Sequence, residues 1–262
     1  IFSRTSGVVM VGKMVDHHTG SLATFRKPFD QWFYLHAESI ASREEKQTEV
    51  IPLTDYFFRY NRGGFWMGRY GFQALHVPFN RCTRFLFSVF LNARVLFRSL
   101  HSASMAQKYV IQDVSLPYET TKDFLNWSDN NLSIYPLWLC PLKPEREAKL
   151  SPNYLDTELV INVGVWGEAN RSFWKLNRDL EREVITLRGR KTLYAHAYYS
   201  AEEFWSIYNF GWYSKLRKNY DAERTFSDLF ARVSVRERYR GSIPKGFINF
   251  FRSPSKLPLL KN

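Results

Sequence analysis

The chain has 262 residues, of which 45% are hydrophobic and 17% aromatic, and its formal net charge is +12. That hydrophobic content excludes an intrinsically disordered chain and supplies a sizeable core for one large domain or two small ones. The cationic surplus points to an anionic partner (nucleic acid, a membrane surface or a phosphorylated small molecule), while Cys82 and Cys140 are too few for a disulfide framework or a structural zinc site and fit a reducing compartment.

Ile1 is not an initiator residue, and the run Gly7-Val8-Val9-Met10-Val11-Gly12 follows almost at once. Residues 7–15 read as a strand in need of partners, as in a fragment cut from a longer protein. Residues 28–42 read as a helix with Pro28 in its first turn. The charged run 42–49 is a solvated connection. Pro52 biases Ile51 to extended backbone. Thr54 or Asp55 then caps a short aromatic helix at 56–61, which Gly63-Gly64 ends.

Residues 81–98 read as one amphipathic helix. Arg81, Arg84, Ser88, Asn92, Arg94 and Arg98 share one side, and Phe85, Leu86, Val89, Phe90, Ala93, Leu96 and Phe97 the other. A basic helix rich in Phe and Leu suits a membrane interface, with Arg84, Phe90, Arg94, Phe97 and Arg98 as contacts. It suits equally a surface helix lying on its own core. No run reaches the ~18 apolar residues of a membrane span, since Asn92 and Arg94 interrupt the nearest, Phe85 to Phe97.

Strands and helices then alternate: strand 108–117, helix 118–130, strand 132–141, strand 157–166, helix 171–187 and strand 191–198. A further helix starts at Ser200, where Glu203 completes a capping box. The order β-α-β-β-α-β is the ferredoxin-like one: an α+β fold in which an antiparallel sheet carries both helices on one face. Residues 225–262 read as a helix followed by a basic, partly disordered tail.

Phosphate loops, GxGxxG, HExxH, CxxC and GxSxG are absent, and no histidine has a partner at metal-ligand spacing, so no metal site is expected. None of the strands carries the paired aromatics of an RNA-recognition sheet, which argues against nucleic acid. What remains is aromatic and titratable. Tyr135 and Trp138 stand on one expected strand. Tyr194, His196 and Tyr198 alternate on another, followed by Glu202, Glu203 and Trp205. A Tyr and a His beside a carboxylate can supply or relay a proton; the same pattern also serves as a satisfied polar spot on a sheet face.

Five segments carry a resemblance: IPLTDYFFRYNRGGFW (51–66), VIQDVSLP (110–117), IYPLWLCP (134–141), LYAHAYYSAEEFW (193–205) and YSKLRKNY (213–220). In order and spacing they resemble the C-terminal half of the Δ24-sterol reductases, across residues 7 to about 230. The resemblance implies a flavoprotein of the vanillyl-alcohol-oxidase type whose N-terminal domain binds FAD and whose ferredoxin-like cap shapes the substrate pocket. It implies residues 1–58 as the connection from the FAD domain and 59–230 as the cap; the basic tail 231–262 has no counterpart in the family.

The implied reaction reduces the C24 double bond of a sterol side chain. Hydride passes from NADPH through FAD, and a protein acid gives the proton. Tyr194, His196 and Glu203 are the candidate acids, with Arg59, Arg62, Trp66, Tyr135, Trp138 and Trp205 facing substrate or flavin. The cytosolic face of the endoplasmic reticulum is the implied location. One departure stands out: the family usually carries Asp where this chain has His196, and an imidazole titrates near neutrality. A non-catalytic lipid- or membrane-binding module and an FAD-linked oxidase are the alternatives.

Overall fold

The structure, a computed structural model, describes residues 1–43, 46–102 and 107–235. The described residues fall into two compact units, 1–102 and 107–235. Residues 59–102 therefore group with 1–58 and not with the sheet that follows. The expected tail beyond residue 235 lies outside the described residues.

The first unit is helical: α1 Phe33–Arg43, α2 Leu53–Phe58, α3 Met67–Ala74, α4 Arg81–Leu86 and α5 Ala93–Ser102. Its core gathers Phe25, Trp32, Phe33, Tyr34, Trp66 and Phe72, all buried. Gly63 has φ +80° and faces the Trp32 ring so closely that a Cβ would come within 2.5 Å of Cε3. Only glycine satisfies both constraints.

Four expectations fail in this unit. The strand at 7–15 does not form: those residues have no regular secondary structure, and Val9 and Val11 are almost fully exposed. The helix expected from residue 28 starts at Phe33, because residues 27–30 turn. Lys27 N–H donates to the Asp30 carboxylate (2.8 Å), and Arg62 takes the carbonyls of Pro28 and Asp30 at 2.9 and 2.8 Å. The helix at 56–61 lies instead at Leu53–Phe58, and Asp55 sits inside it, buried and accepting from Phe25 N–H at 2.8 Å.

The single helix 81–98 breaks into α4, a 3₁₀ turn at Ser88–Phe90, and α5. Its backbone is captured at the break: Gly63 N–H donates to Leu91 O and Ala93 N–H to Asn61 O, both at 2.6 Å. The Asn92 side chain accepts from Val95 N–H at 3.1 Å and caps the restart.

The second unit is α+β. Its elements run β1 Tyr109–Pro117, α6 Tyr118–Asn131, β2 Leu137–Leu142, β3 Val160–Glu168, α7 Phe173–Thr186 and β4 Arg190–Lys191. Helices α8 Ala201–Ile207, α9 Phe210–Asn219 and α10 Leu229–Val233 follow. The sheet is antiparallel in the order β2-β3-β1-β4. Val110, Gln112, Val114 and Leu116 alternate along β1 on its helix-covered face and are buried, and Gln112 Nε2 donates to Asn177 of α7 at 2.7 Å. Thr120 of α6 donates to the Leu187 carbonyl closing α7 (3.0 Å), so the two helices lie side by side on that face. The expected capping box opens α8: Ser200 Oγ accepts from Glu203 N–H and Glu203 from Ser200 N–H.

Two strands are shorter than expected. Leu132 and Ser133 N–H both return to the Ser128 carbonyl to close α6, and Ser133 takes φ +52°, so β2 begins only at Leu137 and excludes Tyr135. The strand expected at 191–198 stops at Lys191. Ala195 N–H turns back to Thr192 O, and the His196 carbonyl is taken by Lys191 Nζ (2.8 Å) and Gln112 Nε2 (3.3 Å). Ala197 bonds Val233 and Val235 instead of β1. Tyr194, His196 and Tyr198 thus do not share a strand face.

Candidate active site

The sheet face opposite α6 and α7 carries a different chemistry. Register places Asp113 of β1 opposite Gly164 of β3, and Gly164 opposite Trp138 of β2. Ser115, Asn162 and Cys140 form the next row on the same face. Asp113 is half-buried and holds two partners. Its Oδ1 accepts from Trp166 Nε1 at 3.2 Å, and its Oδ2 is hydrogen-bonded to the Tyr194 hydroxyl. Gly164 makes this possible. A Cβ there would stand 2.7 Å from Asp113 Oδ1, 3.3 Å from Trp138 Cβ and 3.5 Å from Trp166 Nε1.

Tyr194 reaches the face from the turn after β4, which Thr192 N–H pins to the Asp113 carbonyl at 2.9 Å. Asp113 therefore holds this turn through its backbone and its side chain together. Burial pushes the Asp113 carboxyl above the ordinary carboxylate range, partly offset by the hydrogen bonds from Tyr194 and Trp166. Burial of the phenol, and the carboxyl beside it, push Tyr194 far above the usual tyrosine value. A carboxyl whose neutral form burial makes easier to reach, bonded to a phenol, can hold and pass a proton.

Of the three candidate acids, Tyr194 is the one hydrogen-bonded to Asp113 on this face. The His196 carbonyl belongs to the Lys191–Gln112 network on the helix side. Glu203 receives two bonds from Arg178 NH2 of α7, at 2.7 and 2.9 Å, and closes the Ser200 cap. Arg178 and the Ser200 N–H hold Glu203 below the usual carboxylate range, so it stays ionised. Asp113 was not among the sequence candidates. The signal was present: an acidic residue in the middle of the apolar strand YVIQDVSLP, a position where Asp is depleted.

The aromatic and basic candidates divide as well. Trp138 lies in the Asp113 row. Tyr135 donates to Asp129 at 2.8 Å, and Trp205 stacks on Tyr213 at 5.1 Å. In the first unit, Trp66 is core and Arg62 is buried against carbonyls. The Arg59 guanidinium lies 4.0 Å from the Tyr56 ring centroid.

Among the residues expected at a membrane, Arg84 is half-buried with its guanidinium over the Phe79 ring at 4.9 Å. Arg94 is exposed, and Phe90 and Phe97 are half-buried. The Arg98 side chain lies outside the described residues. No helix among the described residues is long and apolar enough to cross a membrane.

No protein-family model matches the chain, and no solved structure matches it. Curated relatives do. Proteins named Delta(24)-sterol reductase from Homo sapiens and Rattus norvegicus are 28% identical to it over 254 residues, covering 91% of this chain and 48% of theirs. The Delta(24)-sterol reductase of Pisum sativum is 29% identical over 231 residues, covering 77% of this chain and 40% of its own. The chain spans about half the length of the curated relatives it matches. Its five motifs and these matches agree: over most of its length the chain is similar to the Delta(24)-sterol reductases of animals and plants.

Proposed function

We propose that the chain is the substrate-side part of an FAD-dependent, NADPH-using reductase acting on the C24 double bond of a sterol side chain. The observation that carries the reading is the aromatic, glycine-notched sheet face bearing a carboxyl–phenol pair, in a chain that resembles Delta(24)-sterol reductases. The antiparallel order β2-β3-β1-β4 with both helices on one face supports a ferredoxin-like cap.

A flat conjugated ring and a flat apolar sterol ask the same of a protein: a dry aromatic wall with few, well-placed polar groups. Half-buried Trp138, with the buried Gly164 and Trp166 beside it, supports that reading. A flavin held against this face would supply the hydride. This chain's residues wall the alkene from water, orient it and furnish a proton at the edge of the wall. Exposed Phe29, Phe85 and Leu86 together with exposed Arg94 support a peripheral membrane contact, as a membrane-resident sterol requires, with the cytosolic face of the endoplasmic reticulum as its place.

The test uses the full-length protein under anaerobic conditions. NADPH is expected to bleach the flavin, and a Δ24-sterol to restore it with the saturated sterol as product. Restoration by oxygen with none by the sterol would replace this reading with an oxidase. Absence of any flavin binding would leave the lipid-binding module.

A further inference from the structure

The Asp113–Tyr194 pair carries one inference further, resting on the alkene-reductase reading. We infer that Tyr194 is the catalytic acid that protonates the alkene and that Asp113, behind it, resupplies the proton.

The geometry assigns the two roles. Tyr194 as a residue is 57% exposed although its hydroxyl is turned in on Asp113, so a substrate on this face meets Tyr194 before Asp113, which is set back in the sheet row with both oxygens engaged. Trp166 Nε1 is only a donor, so Asp113 Oδ1 must accept, and an acidic proton on Asp113 sits on Oδ2, facing the Tyr194 oxygen. When Asp113 is protonated it donates to that oxygen and frees the phenolic O–H to turn toward the substrate. When Asp113 is ionised the phenolic O–H is bound to it, and the phenol is a poorer acid.

The step balances. One alkene carbon takes hydride from the reduced flavin, which is oxidised. The π electron pair forms the new C–H bond at the other carbon with the Tyr194 proton. The phenolate takes the Asp113 proton, and water reprotonates Asp113.

A pH signature follows. Proton delivery needs Asp113 in its neutral form, so it fails as pH rises through the Asp113 pKa, which burial has raised. The groups facing Asp113 are Trp166 and Gly164 from β3 and Tyr194 from the turn after β4. Ile111 and Ser115 flank it on β1, and among the described residues it makes no ion pair.

Asp113→Asn and Tyr194→Phe in the full-length protein test the relay, with folding of each checked by thermal melting. NADPH-driven flavin reduction is expected to fall far less than sterol-driven reoxidation. Sterol-driven reoxidation is expected to fall on the order of 10²-fold in each. The wild-type rate should drop as pH rises through the Asp113 pKa, and that limb should vanish in Asp113→Asn. Reoxidation close to wild type in either variant, or a falling limb that survives in Asp113→Asn, would overturn the assignment.

An infrared spectrum of the protein without cofactor gives a second readout. A carboxylic-acid carbonyl band should persist above the ordinary carboxylate range, shift in Tyr194→Phe and disappear in Asp113→Asn; its absence from the wild type also overturns the relay. If the wild-type flavin is not reoxidised by any Δ24-sterol, the sterol reading fails, and the infrared band still decides the proton-sharing pair.

Discussion

The Lys191 ammonium lies 2.7 Å from Glu181 Oε1, and both side chains are fully buried. The pair has a neighbourhood that satisfies it. Glu181 also accepts from Tyr198 N–H (2.7 Å) and Arg178 (3.0 Å), and Lys191 also donates to the His196 carbonyl (2.8 Å). Burial lowers the Lys191 pKa and Glu181 opposes that shift. This network fixes both ends of the 192–198 turn from beneath, and that turn carries Tyr194 to the opposite face of the sheet.

Removing one partner leaves an uncompensated buried charge, which costs far more than the pair contributes as a whole. Glu181→Gln is expected to destabilise the protein by about 3–5 kcal/mol. Denaturant unfolding measures it. A loss below about 1 kcal/mol, within the range of an exposed pair, would show that water reaches Lys191.

Gly164→Ala tests the notch between Trp138 and Asp113. The new methyl would start 2.7 Å from Asp113 Oδ1, on a central strand where the backbone has little room to shift. The expected cost is about 1–3 kcal/mol, as for an overpacked core. The carboxyl should also be displaced from Trp166 Nε1, which a change in tryptophan fluorescence would register. A variant as stable as the wild type, with unchanged fluorescence, would mean the carboxyl can move aside freely.

Glu203 has a pH signature of its own. Arg178 and the Ser200 N–H lower its folded pKa below the ordinary value of 4.5. Its contribution to stability is therefore present above the unfolded value and is lost as pH falls through the folded one. Glu203→Gln should narrow the loss of stability on acidification below pH 4.5. Parallel acid-denaturation curves for the two proteins would contradict the pairing with Arg178.

Much of this was legible in the sequence where one pattern decides. The apolar runs 108–117 and 157–166 and the helix after each are long and periodic, and the sheet order follows from them. The Ser200–Glu203 box is a local signal and formed as written. What failed depended on residues distant in sequence. Nothing in 81–98 announces that Asn61 and Gly63 will capture the backbone on either side of Asn92. Likewise, the alternation Tyr194-Ala195-His196-Ala197-Tyr198 looks like a strand until Gln112 and Lys191 take the His196 carbonyl. Asp113 escaped notice because its partners, Tyr194 and Trp166, lie 81 and 53 residues away.

The basic residues of 81–98 separate into two kinds, and charge reversal distinguishes them. Arg94 is exposed, so Arg94→Glu should leave folding intact and weaken binding to anionic vesicles by about 1–2 kcal/mol at low salt, since it removes one attraction and adds one repulsion. Arg84 lies over the Phe79 ring at 4.9 Å and the Trp32 ring at 6.0 Å. Reversing it sets a carboxylate against two aromatic faces, so Arg84→Glu should lower the melting temperature whether or not lipid is present. Vesicle sedimentation and thermal melting of both variants separate the cases. Binding by Arg94→Glu equal to wild type would remove this segment from the membrane contact, and an unchanged melt for Arg84→Glu would return Arg84 to the solvated surface.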